Sequence, residues 1–275
     1  MRSSSASETS VIDFWNGNRS ETRKIYEREV LEEVLVATKS DFGPWEIRES
    51  LTEYPGLEES TVFEEKGHHL FVTVAGNQKF KNRDVIMIPR PLAKNLLGYR
   101  IPIVRAEHSK KFDTIKTPED LHKLRLGVPS DWSDATIFRH NGYQVIENGD
   151  FDNIFERQAL GHFDYTTFGA NEIIEIFRNR ASKQKELIIN EKIMLFYPFP
   201  LVFYVNPNMP NIAKRVDVGL NKLSESGILD RIFNKYYAEI VNELKMDQRH
   251  LFILENPLIP DLFSRLEPNL QHFQK

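Results

Sequence analysis

VTVAGNQKFKNRDVI, residues 72–86, opens as a buried strand, breaks at a glycine and continues into a polar loop that contains Arg83. Val72, Val74 and Ala75 supply the apolar run, and Gly76 ends it. Asn77, Gln78, Lys79, Lys81, Asn82 and Arg83 follow within a few residues. A guanidinium is a planar fork of donors that fits a carboxylate or phosphate. Arg83 therefore has two readings: a ligand clamp at a strand end, or a surface arginine paired with Asp84 or another acid.

The elements around this stretch set the fold class. Upstream, Val11–Phe14 reads as a short strand, and Ile25, Val30, Leu31, Val34 and Leu35 recur at helical spacing over roughly residues 21–39. Gly43-Pro44 stops that helix, Trp45–Arg48 reads as a second strand, and a polar helix is expected over Glu58–Lys66. The β-α-β-α-β order implies a mostly parallel sheet with helices on its faces. Downstream, TPEDLHKL (117–124) carries a Thr cap, Pro at the first helical position and an acidic first turn. LRLGV (124–128), a helix over Asp134–His140, a strand at Tyr143–Ile146, a helix over Phe151–Leu160 and the strand HFDYTTF (162–168) repeat the plan. LFYPFPLVFYVN (195–206) is apolar, but its prolines argue against a plain central strand in its first half. Two helices are expected after Pro210 and Gly227, and the proline-interrupted tail 245–275 is expected to wrap one lobe.

KGHHLFVTV (66–74) and LGHFDYTTF (160–168) echo each other, each with a glycine and then histidine at the start of a strand. His68, His69 and His162 lack a second ligand cluster at metal spacing, so the echo is read as two similarly built lobes, and no metal or cofactor is expected.

Composition narrows the function. Among 275 residues, 36 Lys and Arg stand against 40 Asp and Glu, and the net charge of -4 gives no reason to expect nucleic acid. The chain has no cysteine, which excludes disulfides, thiolate metal sites and a cysteine nucleophile. No stretch approaches the roughly 18 apolar residues of a membrane helix, and MRSSSASETS (1–10) lacks the apolar core of a secretory signal.

Three segments together resemble the extracellular solute-binding proteins of family 3, the polar amino acid type. AGNQKFKNR (75–83) matches without a gap that family's Ala-Gly-x-x-x-Thr-x-x-Arg loop. LHKLRLGVPSDWSDATI (121–137) stands where the family has a strand followed by a Gly-Thr ligand loop. FPLVFYVNPNMPNIAKRVDVGLNKLSESGILDRIFNKYY (199–237) is similar to its last hinge strand and two closing helices. The resemblance implies an α/β, two-lobed, type 2 periplasmic binding fold with two crossing strands, near Ile103–Glu107 and Pro200–Phe203. Lobe 1 would take residues 1–104 and 204–275, and lobe 2 residues 105–203.

It further implies a monomeric periplasmic protein, with its signal peptide removed, that captures a small polar, carboxylate-bearing molecule for an inner-membrane permease and catalyses nothing. The implied ligand residues are Trp15, Gly76, Gln78 and Arg83 from lobe 1, with Ser130, Asp131, Trp132, Ser133, Phe168 and Asn171 from lobe 2. Arg83 falls on the family's carboxylate clamp. The chain also departs from the family: Asp131-Trp132 replaces Gly-Thr, Phe80 replaces the loop threonine, and Gly169 replaces the aspartate that takes an amino group. Asn171 and Glu172 either take over that aspartate's role or simply begin the next helix. Other uses of the same fold are a ligand-sensing or partner-binding ectodomain and a cleft enzyme such as a dehydratase, with Asp131, Asp134 and Glu172 as candidate acids.

Overall fold

In the computed structural model, which describes residues 8–273, the helix Glu21–Ala37 starts at Ser20, whose hydroxyl accepts the Arg23 N–H at 3.4 Å. It buries Tyr26, Val30, Leu31, Val34 and Leu35, the apolar face its spacing foretold. That face meets the helix Pro210–Glu225, and Gly219 is what lets the two backbones approach. A Cβ there would stand 2.6 Å from Val34 Cγ1 and 2.9 Å from the Val34 carbonyl oxygen.

Among the described residues twelve strands follow one another, beginning with β1 (Ser10–Trp15), β2 (Trp45–Ser50), β3 (Leu70–Val74), β4 (Ile86–Met87), β5 (Tyr99–Arg105) and β6 (Arg125–Val128). Then come β7 (Gln144–Glu147), β8 (Tyr165–Gly169), β9 (Leu187–Ile189), β10 (Ile193–Phe196), β11 (Leu201–Val205) and β12 (His250–Ile253). They form two sheets, not one. The first is ordered β2-β1-β3-β11-β4, with β1–β2 parallel and β11 antiparallel to β3. The second is ordered β12-β10-β5-β8-β6-β7, with β9 paired to β5.

The chain divides into two units accordingly. Unit 1 takes the chain up to Val74, then Lys79–Leu92 and Leu201–Tyr236; unit 2 takes Ala75–Gln78, Ala93–Pro200 and the chain from Tyr237 on. The chain passes between these units at Val74–Ala75, Gln78–Lys79, Leu92–Ala93, Pro200–Leu201 and Tyr236–Tyr237. Ile103–Glu107 is not among these passages, because β5 is a central strand of the second sheet: Tyr99 to Val104 are all buried, between β8 and β10.

The tail also departs from expectation. The resemblance puts residues 204–275 in lobe 1, yet β12 pairs in parallel with β10, from Ile193↔His250 to Phe196↔Ile253, and so extends the sheet of unit 2. Phe252, Leu254 and Phe263 are buried with it. The polar helix expected over Glu58–Lys66 is instead a 3-10 turn at Gly56–Thr61. Ser60 and Thr61 donate to the carbonyls three residues back, at 2.8 and 3.0 Å, which favours tight turns over helix. At Thr117 the foreseen cap is present: Asp120 Oδ2 accepts the Thr117 N–H at 3.2 Å, with Pro118 first in the helix.

Candidate functional site

In open α/β sheets, polar loops gather where strands end. In unit 1 Trp15 ends β1, and Arg19 lies in the loop after it. Trp15 is fully buried, its indole N–H donates to the Thr52 carbonyl at 2.8 Å, and the Arg19 guanidinium lies 4.8 Å from the centre of its ring. Arg19 Nε meets Glu27 Oε2 at 2.8 Å, while Arg23 Nη2 meets Oε1 of the same carboxylate at 2.7 Å. Burial lowers the Arg19 pKa, and Glu27 opposes that, so Arg19 of the loop and Arg23 of the helix share the one Glu27 carboxylate. Trp15 belongs to this packing.

Arg83 is half-buried in unit 1, and its Nη1 is paired with the Glu64 carboxylate. The acid paired with Arg83 is therefore Glu64. Phe80, where the family has threonine, is buried against Phe71, Phe63 and Tyr204.

Gly76 and Gln78 fall in unit 2. Gln78 is exposed, and its amide folds back to the Gly76 carbonyl at 2.9 Å. Gly76 has φ +81°, and a Cβ would stand 2.2 Å from the Leu258 carbonyl oxygen. The glycine is required by its backbone conformation and by the close approach of the tail.

The loop after β6 brings Ser130 to Ser133 to the start of the helix Ser133–His140. Ser130 and Asp131 are exposed, and Asp131 holds a left-handed φ of 66°, uncommon for a residue with a side chain. The Trp132 ring lies 5.6 Å from Phe151 and 6.1 Å from Phe168, so Trp132 and Phe168 are brought together. Phe168 is fully buried in this aromatic cluster.

One residue further along that helix is Asp134, the centre of a buried polar network. Its Oδ1 lies 2.6 Å from Arg100 Nη2 and accepts the Tyr197 hydroxyl at 2.6 Å. Arg100 is 1% exposed and also donates to the Leu97 and Thr167 carbonyls. Burial disfavours its charge, but Asp134 together with Tyr197 and Glu172 outweighs that and raises its pKa. Burial also raises the Tyr197 pKa well above its usual value, so the phenol stays a donor. Asn171, just after β8, is 1% exposed, and both ends of its amide lack a hydrogen-bond partner.

Sequence reading missed Arg19, Arg100 and Tyr197. A signal was present for Arg100: YRIPIVR (99–105) is an apolar strand with an arginine inside it, and such a charge calls for a buried acid. Among the described residues no group of three or more His, Asp or Glu is placed to hold a metal ion, and no helix is long and apolar enough to cross a membrane.

No family model and no curated protein matches the chain. Solved structures do. The probable amino-acid ABC transporter extracellular-binding protein ytmK from Bacillus subtilis superposes with a TM-score of 0.59 at 13% identity, over 84% of this chain and 98% of its own. The fold is that of the periplasmic binding proteins. A structure from work on glutathione import via GshT and the cystine ABC importer TcyBC of Streptococcus mutans gives 0.56 at 17% identity, over 83% of this chain and 95% of that one. A histidine kinase sensor domain with similarity to periplasmic binding proteins gives 0.57 at 14% identity, over 84% and 99%. Nearly all of each neighbour is matched but about a sixth of this chain is not, so the periplasmic-binding fold carries extra segments here.

Proposed function

We propose that the chain is a solute-binding protein: it captures a small polar, carboxylate-bearing molecule in the periplasm and, as a monomer, delivers it to an inner-membrane permease. The observation that carries this reading is the set of strand-end loops on a binding-protein fold, with a fully buried, unpaired amide at Asn171 after β8. Binding needs no catalytic group, and two of the candidate acids, Asp134 and Asp131, are engaged or exposed. Asp134 is neutralised by Arg100, and Asp131 is exposed. The carboxylate half of the proposal rests on Arg83, whose exposed pair with Glu64 is weak enough for a ligand to replace.

A second reading, a ligand-sensing ectodomain, is favoured by the sensor domain among the structural neighbours. Thermal melts against amino acids, dicarboxylates, polyamines and small aromatics test both. A true ligand at a hundredfold excess over its dissociation constant stabilises the fold by about 2.7 kcal/mol. A chain that no class of compound stabilises is not a solute-binding protein. Uptake of the ligand by cells that lack the gene then separates the two: lost uptake supports delivery, and intact uptake with a lost response supports sensing.

A further inference from the structure

The Leu97–Gly98 turn in unit 2 gathers polar atoms that the fold leaves unpaired. Asn95 Nδ2, Arg100 Nε, and Asn171 Nδ2 and Oδ1 are all buried without a hydrogen-bond partner. The three residues are 8%, 1% and 1% exposed. Their placement around the turn follows from three contacts. Asn95 Nδ2 lies 3.0 Å from where a Gly98 Cβ would stand. Arg100 Nη1 donates to the Leu97 carbonyl at 3.2 Å. A Gly169 Cβ would stand 2.9 Å from that same carbonyl oxygen and 2.7 Å from Asn171 Oδ1. Any side chain at Gly169 would strike Asn171 and Leu97, so the amide of Asn171 occupies the room that a residue at Gly169 would need.

Buried polar groups are nearly always satisfied, and a cluster of unsatisfied ones asks for a partner of complementary chemistry. Three nitrogen donors and one carbonyl acceptor without partners thus lie around this turn. The cluster is nevertheless not positive, because Asp134 pairs with Arg100, and the negative charge of Glu172 also bears on it. A carboxylate would find donors but no net charge to attract it, and an ammonium would find donors facing donors. A neutral group with a strong carbonyl acceptor and an N–H beside it complements both kinds of unpaired atom and the charge.

We propose that Asn171, with Asn95 and Arg100, forms a subsite for a neutral carboxamide-type group of the ligand, and that Asn171 sets specificity against charged groups at this end. The inference rests on the solute-binding reading. It is tested on the full chain with three small probes of one shape, acetamide, acetate and acetamidine, using protein labelled with nitrogen-15 at asparagine. The Asn171 amide resonances are those lost in Asn171→Leu. Acetamide is expected to shift them, and the other two probes at equal concentration are not. Asn171→Leu should weaken acetamide binding at least tenfold with an unchanged circular dichroism spectrum, and Asn171→Asp should turn the preference towards acetamidine. Asn171 resonances untouched by acetamide would mean that water alone satisfies the amide, and the subsite would be overturned. Equal acetamide affinity in Asn171→Leu, or acetate as the best probe, overturns it too. A ligand found in the thermal screen whose binding ignores Asn171 removes this inference alone, whereas the absence of any ligand removes the solute-binding reading.

Discussion

Arg83 and Arg100 show how differently two arginines behave in one chain. Arg83 is part-exposed, and its pair with Glu64 contributes about 0–1 kcal/mol, so a ligand carboxylate can replace Glu64 at little cost. Glu64→Gln is therefore expected to tighten binding of an acidic ligand several-fold, by removing its competitor. Arg83→Ala should weaken it by tens-fold or more, as loss of one partner of a charged hydrogen bond costs about 2–5 kcal/mol. Calorimetric affinities that ignore both substitutions would end the clamp reading. Arg100 is the opposite case, held out of water against Asp134. Asp134→Ala leaves its charge stranded and should destabilise the fold by about 3–5 kcal/mol in urea titrations, while Arg100→Met with Asp134→Leu should recover most of that. A single variant as stable as the double would show that the pair is not the buried unit the geometry describes. Position, not pairing, was legible in the sequence. Trp132, Phe168 and Asn171 could be placed at strand ends because the strands themselves were readable. Glu64 could not be matched to Arg83, since no spacing rule links a residue in a turn to one in a loop 19 positions on.

At the scale of elements, periodicity located what it controls. The helices Glu21–Ala37 and Pro210–Glu225 have an apolar face with a 3.6-residue period, and the glycine-closed strands β3 and β8 have buried runs. It could not foresee β12, four residues with only Phe252 fully buried, because that strand exists through pairing with β10 and not through its own pattern. It also could not see why Gly76 is a glycine. The opening loop resembled a ligand cradle, and the structure lays the tail's Leu258 carbonyl against it. Gly76→Ala tests which description holds. The positive φ alone costs more than about 1 kcal/mol for alanine, and the contact with Leu258 must open as well. The variant should melt lower and lose residues beyond Asn256 to limited proteolysis sooner than the native chain. Equal protease resistance would mean that the tail does not depend on that approach.

For the whole molecule, the two-sheet architecture followed from the repeated strand–helix order, whereas the pH response depends on burial that only the fold creates. His68 lies next to Tyr54, its Nε2 3.1 Å from the hydroxyl, and burial lowers its pKa below the ordinary 6.5, with Asp13 opposing only in part. The folded state therefore favours neutral His68. Its contribution to stability is present above pH 6.5 and is lost as pH falls through the lowered folded value. Asp164 acts in the same direction further into acid. Burial pushes its pKa up, but the Arg125 backbone N–H at 2.7 Å and guanidinium at 3.4 Å outweigh that and lower it from 3.8, so its share is lost as pH falls through the lowered value. On the alkaline side the sign reverses. Burial raises Tyr99 from 10.0 to about 12, against the Asn269 N–H that its oxygen accepts, so the folded chain keeps a proton that the unfolded chain gives up. That stability is complete below pH 10.0 and disappears as pH rises to about 12. Urea midpoints across pH should accordingly show a plateau from about pH 7 to 10 with a descending limb on each side. His68→Gln, neutral at every pH, should flatten the start of the acid limb and leave the alkaline limb in place, while Tyr99→Phe should trim only the alkaline limb. An acid limb of full depth in His68→Gln would place the titrating group elsewhere and show that burial of His68 does not set the onset.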